Sequence, residues 1–263
     1  MAINIYQVDA FTDQIFSGNP AAVCILPGPV DPVWAQKMAM EMNLSETAFL
    51  CRDRDQYHLR WFTPAVEVDL CGHATLASAH ILWEEKLASP EQDIFFSTRS
   101  GILKASQKNG WVELNFPSKP IQEAVPPPGL FEALGIEAAL VCVHKSDYLL
   151  EVDSPNIVRT LTPDFSKLRQ LPVRGVIVTS KGQDEGFDFI SRFFVPGSGI
   201  DEDPVTGSAH CCLGPYWKAK LNKDKFLAYQ ASKRGGMIRV EVEGDRVHLF
   251  GQAVTVFKGQ LKE

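Results

Sequence analysis

Residues 60–83, RWFTPAVEVDLCGHATLASAHILW, decide the fold because residues 192–217, RFFVPGSGIDEDPVTGSAHCCLGPYW, repeat their pattern. The opening Arg-aromatic-Phe-x-Pro segments match at an offset of 132 residues, and Gly72 matches Gly207 at an offset of 135. The second copy therefore has a longer loop before its glycine. A repeat of this length is too long for a solenoid unit and has the size of a small domain. The sequence thus predicts two similar domains.

The boundary between the two domains is predicted in the most proline-rich part of the chain, residues 117–120 and 126–129. We therefore predict an N-terminal domain over residues 1–117 and a C-terminal domain over residues 118–263. Two related halves that differ at a few polar positions suggest one active site in the cleft between them.

Each half is predicted to contain mostly strands with one long helix, over residues 73–86 in the first half and 206–220 in the second. Strands and helices do not alternate regularly, which argues against a parallel Rossmann sheet. The prediction is an α+β fold in which each domain is a curled, mostly antiparallel sheet around a central helix. Three local signals are specific: Asp31 before Pro32 as a helix start, Asn43 as its end, and Asn109-Gly110 as a hairpin turn.

The composition is that of a globular protein, with 45% hydrophobic and 22% charged residues among 263, enough for two cores. A formal net charge of −6, without a lysine or arginine run, argues against nucleic acid or an anionic membrane as the main partner. No segment approaches the roughly 18 apolar residues of a membrane span, and no signal-peptide pattern opens the chain. Six cysteines without CxxC spacing favour free thiols. We therefore expect a cytoplasmic protein.

The two equivalent helix starts are candidates for binding an anion. Gly72 and Gly207 each stand at the turn into a helix, where amide N–H groups are unpaired and the helix dipole is positive. Two such ends facing one cleft would hold a carboxylate without an arginine. Thr206 and Ser208, beside the second glycine, are helix caps, ligand donors, or both.

Three titratable residues near these turns are candidates for acid–base chemistry. Glu46 enters an apolar strand; half-burial would raise its pKa and make it a proton carrier, and the alternative is an exposed strand-end glutamate. His73 at a helix N-terminus is predicted to be neutral and to hydrogen-bond a substrate or relay a proton, unless it is structural. Asp203 is either a helix-cap carboxylate or a group that orients a substrate amine or an imidazole.

Cysteine and metal chemistry are less well supported. Cys71 could be a nucleophile, but the second half has Thr206 at the matching position, and a packed thiol is favoured. His210, Cys211 and Cys212 point in different helical directions and cannot chelate one ion. No nucleotide-binding motif occurs. We expect neither a metal nor a cofactor.

Together, collinear motifs over nearly the whole chain resemble the PhzF family of phenazine biosynthesis-like isomerases. They are FSGNPAAV at 16–23, NLSETAF at 43–49, RWFTP at 60–64, CGHATLA at 71–77 and DPVTGSAH at 203–210. The resemblance implies the diaminopimelate-epimerase-like fold, cofactor-free proton transfer and a homodimer. It implies a small carboxylate-bearing, amino-substituted or cyclic substrate, as in the isomerisation of trans-2,3-dihydro-3-hydroxyanthranilate.

The resemblance also assigns roles to single residues. Glu46 matches the glutamate that carries the proton, with His73, Asp203 and Ser208 as accompanying catalytic residues. The amides of Gly72 and Gly207 match those that bind the substrate carboxylate. Within the same motifs, Asn19 and Thr206 are assigned to substrate binding.

Two alternatives remain open from the sequence. One is an amino-acid racemase or epimerase in which Cys71 and another group act as acid and base. The other is a carboxylate-binding module that keeps the cleft without turnover.

Overall fold

The computed structural model describes residues 3–137, 140–183 and 186–261. They fall into two compact units: the described residues of Met1–Asn115 with His248–Glu263, and those of Phe116–Val247. This differs from the predicted division into 1–117 and 118–263, because the end of the chain returns to the first unit. There the last strand pairs with the first, with Ile5 opposite Gly259.

Among the residues that the structure describes, the first half of the chain contains eight strands and two α-helices. In chain order these are β1 (Ile3–Ala10), β2 (Asn19–Leu26), α1 (Pro32–Met42), β3 (Glu46–Asp53), β4 (Gln56–Phe62), β5 (Glu67–Val68), α2 (Gly72–Glu84), β6 (Ile94–Thr98), β7 (Gly101–Lys108) and β8 (Trp111–Pro117).

The described part of the second half contains nine strands and four α-helices. In chain order these are β9 (Gln122–Glu123), α3 (Leu130–Leu134), β10 (Leu140–His144), β11 (Asp147–Glu151), α4 (Pro155–Thr160), α5 (Phe165–Leu168), β12 (Gly175–Lys181), β13 (Phe189–Phe194), α6 (Gly207–Leu221), β14 (Lys225–Gln230), β15 (Gly236–Glu243), β16 (Arg246–Gly251) and β17 (Ala253–Leu261).

The repeat is visible in the strand pairing of each unit. In the first unit the strand order is β17-β1-β2-β3-β4-β6-β7-β8, antiparallel except for the parallel pairs β2–β3 and β4–β6. In the second unit the order is β9-β10-β11-β12-β13-β14-β15, antiparallel except for β11–β12 and β13–β14. The same succession of antiparallel and parallel pairs occurs twice, with one long helix between the strands of the second parallel pair.

The local signals of the sequence are confirmed. The Asp31 carboxylate accepts a hydrogen bond of 2.8 Å from the Trp34 amide and begins α1, and Asn43 ends it in the left-handed conformation. Asn109 and Gly110 both have positive φ angles, which a two-residue hairpin turn requires.

The predicted long helices are α2 and α6, and each is central to its unit. Ten of the 13 residues of α2 are buried, and the helix packs against β1, β2, β3 and β17. In α6, Trp217 stacks on Phe189, and Gly214 lets the helix approach β15 so closely that a Cβ there would lie 3.0 Å from Val240. Among the helices in the described ranges, none is both long and apolar enough to cross a membrane.

An equivalent ion pair holds the loop before each central helix. Arg60 makes two hydrogen bonds of 2.7 Å to the Glu67 carboxylate. In the second unit Arg192 binds Glu202 in the same way, at 2.7 and 2.8 Å. Such a forked pair fixes orientation as well as distance, so both loops enter their helices from a defined position.

Candidate active site

The first unit brings four of the predicted site residues together. Glu46 is the first residue of β3, and the parallel register with β2 places it beside Ala21, two residues after Asn19. The start of α2, with Gly72 and His73, lies at the same end of these strands. The site is therefore built by two parallel strand starts and one helix N-terminus.

His73 is the centre of this group. Its Nε2 lies 3.1 Å from Glu46 Oε2, and its Nδ1 lies 3.1 Å from the Asn19 amide nitrogen and 3.5 Å from Cys71 Sγ. The side chain of His73 is 5% exposed and that of Glu46 is 19% exposed. Asn19 is fully buried, so its visible role is to hold the imidazole, whereas its predicted contact with substrate stays a prediction.

The surroundings of His73 favour its charged form. Burial lowers its pKa, but the contacts with Cys71 and with the Glu46 carboxylate raise it by a larger amount, so that the pKa lies well above the ordinary value of 6.5. The sequence predicted a neutral imidazole because of the helix dipole. That effect is typically about 0.3–1 kcal/mol, and a carboxylate at ion-pair distance in a buried site outweighs it.

Cys71 is buried at the N-cap of α2. Burial, reinforced by the nearby Glu46 charge, raises the pKa of its thiol to about 11. The thiol is therefore protonated at neutral pH, which supports a packed thiol and argues against a resting thiolate nucleophile.

One buried carboxylate oxygen in this group is open to accept a proton. Although His73 Nε2 lies at ion-pair distance, Glu46 Oε2 accepts no aligned hydrogen bond from any residue in the described ranges. A lone pair that is shielded from bulk water and not already committed to a donor suits a general base.

The same group contains the ligand types of a metal site. Single ligand atoms of Glu46, Cys71 and His73 all lie within 4.8 Å of one another. Glu46 is remote from Cys71 and His73 in the sequence, so no ligand spacing along the chain marks these three residues as a group.

The second unit brings together Asp203, Thr206, Gly207 and Ser208, with Gln230 as an unpredicted member. The Thr206 hydroxyl donates to Asp203 Oδ2 at 2.6 Å, and its amide donates to Gln230 Oε1 at 2.8 Å. Gln230 Nε2 in turn donates to the Asp203 carbonyl at 2.7 Å. Thr206 is thus buried, and its amide and hydroxyl are hydrogen-bonded to residues of its own unit. This geometry supports a structural role for Thr206 and gives no support to its predicted contact with substrate.

Gln230 was missed because its strand, β14, was not predicted. The sequence KFLAYQ has no clean alternation of apolar and polar residues, although the side chains of Phe226, Ala228 and Gln230 all point inward. A polar residue at the third inward position leaves no pattern that would reveal it.

The two central helices begin without the side-chain caps that three other helices have. Asp31, Ser154 and Asp164 each accept an amide hydrogen bond at the starts of α1, α4 and α5. No such side-chain cap is present in the described residues at the starts of α2 and α6. Uncapped first-turn amides are suited to bind an anion, as predicted for Gly72 and Gly207.

The repeat makes the two sites chemically unequal. Arg60 pairs with Phe49 in β3, and its equivalent Arg192 pairs with Val178 in β12. Glu46 lies three residues before Phe49 in β3, and the residue three before Val178 in β12 is Gly175, so Glu46 corresponds to Gly175. At an offset of 135, His73 corresponds to Ser208. The carboxylate and imidazole of the first unit therefore have no counterparts at the matching positions of the second unit.

The burial of His210, in the first turn of α6, predicts that the protein loses stability in acid. Burial lowers its pKa to about 4, below the ordinary value of about 6.5 in the unfolded chain. Its contribution to the free energy of unfolding is fully present above pH ~6.5 and is lost as the pH falls towards ~4. The loss amounts to about 3 kcal/mol. Urea unfolding at pH ~7 and ~5 measures this loss. The free energy of unfolding should change less between these pH values in His210→Gln than in the wild type, and equal changes in the two proteins would contradict the expectation.

Comparisons with known proteins agree with this architecture. The family model for phenazine biosynthesis-like proteins, PhzC-PhzF, matches residues 8–259. An uncharacterized isomerase of Halalkalibacterium halodurans is 60% identical over 262 residues, covering 99% of both chains. A PhzF family phenazine biosynthesis protein from Enterococcus faecalis is 40% identical, with a TM-score of 0.95 and full coverage of both chains.

A more distant solved structure bears on the fold alone. The hydroxyproline epimerase of Agrobacterium vitis is 13% identical, with a TM-score of 0.65 over 99% of this chain and 92% of its own. The predicted α+β, diaminopimelate-epimerase-like fold is confirmed.

Proposed function

Because this chain belongs to the PhzC-PhzF family of phenazine biosynthesis-like proteins, we propose that it is an isomerase that needs no cofactor. It moves a proton between two carbons of a small carboxylate-bearing substrate that is amino-substituted or cyclic. The observation that carries the proposal is the buried contact of 3.1 Å between Glu46 Oε2 and His73 Nε2, in which the carboxylate keeps an uncommitted lone pair.

In the proposed mechanism Glu46 removes a proton from one carbon and returns it to another carbon on the same face of the substrate. When the proton moves to Glu46, negative charge develops on the substrate. The His73 imidazolium, which no longer faces a charged carboxylate, is then available to stabilise that charge, together with the amides of Gly72 and His73 at the start of α2. The ion pair between His73 and Glu46 is thus replaced by an ion pair between His73 and the substrate.

The second unit supplies the remaining predicted roles. We keep Asp203 and Ser208 as accompanying catalytic residues, with Asp203 orienting a substrate amine, and the Gly207 amide as a donor to the substrate carboxylate. The hydrogen bonds of Gln230 with the Thr206 amide and the Asp203 carbonyl support this assignment because they hold the backbone of this loop in place.

The racemase alternative finds less support. A two-base racemase needs an acid and a base on opposite faces of one carbon. The Cys71 thiol, with its pKa of about 11, is a poor base at neutral pH, and the equivalent position in the second unit is Thr206. Isomerase names among the relatives support turnover over a non-catalytic binding module.

Proton NMR in deuterated buffer tests the proposal. The substrate panel begins with trans-2,3-dihydro-3-hydroxyanthranilate and continues with other small amino and hydroxy acids. Isomerisation, or deuterium entry at carbon, that requires Glu46 would support the reaction class. Deuterium entry that persists unchanged in Glu46→Gln would overturn it.

The charge on His73 predicts that activity and stability both fall at alkaline pH. Because its folded-state pKa is raised, the stabilisation from its protonation is fully present below about pH 6.5 and is lost as the pH rises through the raised value. We expect kcat/KM to hold through neutral pH and to fall on the alkaline side, with a parallel loss of stability that His73→Gln removes. An alkaline fall in stability of equal size in His73→Gln would assign it to other groups.

Two properties accompany the proposed function. The homodimer implied by the family resemblance is checked by light scattering of the purified protein, where a monomer would contradict it. The cytoplasmic location is checked by cell fractionation, where recovery outside the cytoplasmic fraction would contradict it.

A further inference from the structure

We propose that Glu46, Cys71 and His73 form a binding site for a soft divalent cation such as Zn²⁺, and that the bound ion blocks proton transfer. The three residues offer one carboxylate oxygen, one sulfur and one imidazole nitrogen, which are the ligand types of zinc sites with three protein ligands and one open position. The ion binding stands on geometry alone, and only its effect on turnover rests on the proposed function.

The distances are close to those of a tetrahedral site. With Zn–S of about 2.3 Å and Zn–N of about 2.0 Å, neighbouring ligand atoms lie about 3.3–3.6 Å apart. Here Nε2 of His73 lies 3.1 Å from Glu46 Oε2 and 4.0 Å from Cys71 Sγ. The longer separations, which reach at most 4.8 Å, have to close towards this spacing when the ion binds, and the fourth position stays open for water.

Asn19 supplies the partner that a metal-bound histidine requires. A ligating imidazole donates its other ring N–H to a fixed acceptor, which sets the ring orientation. With Nε2 on the ion, Nδ1 carries the proton and faces the Asn19 amide at 3.1 Å. Flipping that amide exchanges its nitrogen for its oxygen and makes it an acceptor for Nδ1–H.

Charge and burial also fit the cation. The Glu46 carboxylate and the Cys71 thiolate together balance the two positive charges of Zn²⁺. The ion replaces the thiol proton and the second imidazole proton, and both protons pass to the solvent. All six cysteines are free and buried, so Cys71 is distinguished from the others by its two neighbouring ligands and not by exposure.

Cobalt is the direct probe of the site. Co²⁺ bound to a thiolate gives a sulfur-to-metal charge-transfer absorption, so titration of the purified protein with Co²⁺ should produce this band. The band should vanish in Cys71→Ser and persist in Cys24→Ala, a matched buried cysteine in β2. Absence of the band in the wild type, or its survival in Cys71→Ser, would overturn the site.

Calorimetry with Zn²⁺ tests the role of Asn19. Asn19→Leu should weaken Zn²⁺ binding about 10- to 100-fold, and Asn19→Asp should restore it because a carboxylate accepts the Nδ1–H bond. Equal Zn²⁺ affinity in all three proteins would show that Asn19 does not support a ligating His73. Failure to find a turned-over substrate would leave these binding results intact, whereas absence of binding would leave the isomerase proposal intact.

Discussion

Replacing Glu46 with glutamine is expected to lower the rate of proton transfer at carbon about 10²- to 10⁴-fold, the range for removal of a general acid–base group. Glutamine keeps the size of the side chain but has no basic lone pair to take a proton from carbon. The substitution also removes the anion that helps to keep His73 charged. Both consequences act on the same step, since the base and the group that stabilises the developing negative charge are altered together. Deuterium incorporation and kcat/KM measured on the same substrate would report the loss.

A matched control separates this effect from a general loss of stability. Glu113 also pairs with a histidine, with Oε1 at 2.7 Å from His248 Nδ1, and its side chain is 11% exposed. Glu113→Gln therefore removes a similarly buried carboxylate–histidine pair elsewhere in the first unit. We expect Glu113→Gln to keep its activity at temperatures where it is folded. Similar losses in the two variants, or nearly full activity in Glu46→Gln, would remove Glu46 from the mechanism.

The sequence was sufficient for the architecture because the repeat preserves whole elements. Each copy keeps a strand, an arginine, a loop and a glycine helix start. The structure adds that Glu67 and Glu202, at the offset of 135 seen for Gly72 and Gly207, bind the two arginines alike. What the repeat could not provide was the pairing of distant strands. One of the two partners of β1 is β17, some 250 residues away along the chain, and no local signal marks that partner.

The charge state of the site could not be predicted from the sequence either. The feature nearest to His73 in the sequence is the helix N-terminus, which predicts a neutral imidazole. The decisive feature is Glu46, brought to 3.1 Å by the start of β3. Interactions between residues far apart in sequence set the pKa of a buried group, so local context predicts the identity of a site residue better than its protonation.

The second large effect is expected for Gln230→Leu in the second unit. Gln230 is fully buried, and it accepts the Thr206 amide hydrogen bond and donates to the Asp203 carbonyl. Leucine fills much of the same volume but leaves both backbone groups without this partner. Each buried group left unpaired costs about 1–3 kcal/mol, so the free energy of unfolding should fall by about 2–6 kcal/mol. That is a large fraction of the about 5–15 kcal/mol that stabilises a typical protein.

Gln36→Leu provides the comparison for this prediction. Gln36 is partly buried and donates one hydrogen bond of 2.9 Å, to the Thr63 carbonyl in the first unit, so its loss should cost about 1 kcal/mol. Urea denaturation of both variants measures the difference, and equal losses would show that Gln230 is an ordinary buried glutamine. If Asp203 orients the substrate, Gln230→Leu should also lower kcat at temperatures where the protein is folded, because the backbone that positions the carboxylate is released. A fall in stability with unchanged kcat would show that the position of the Asp203 loop does not affect catalysis. The proposed catalytic roles would then rest on Glu46 and His73.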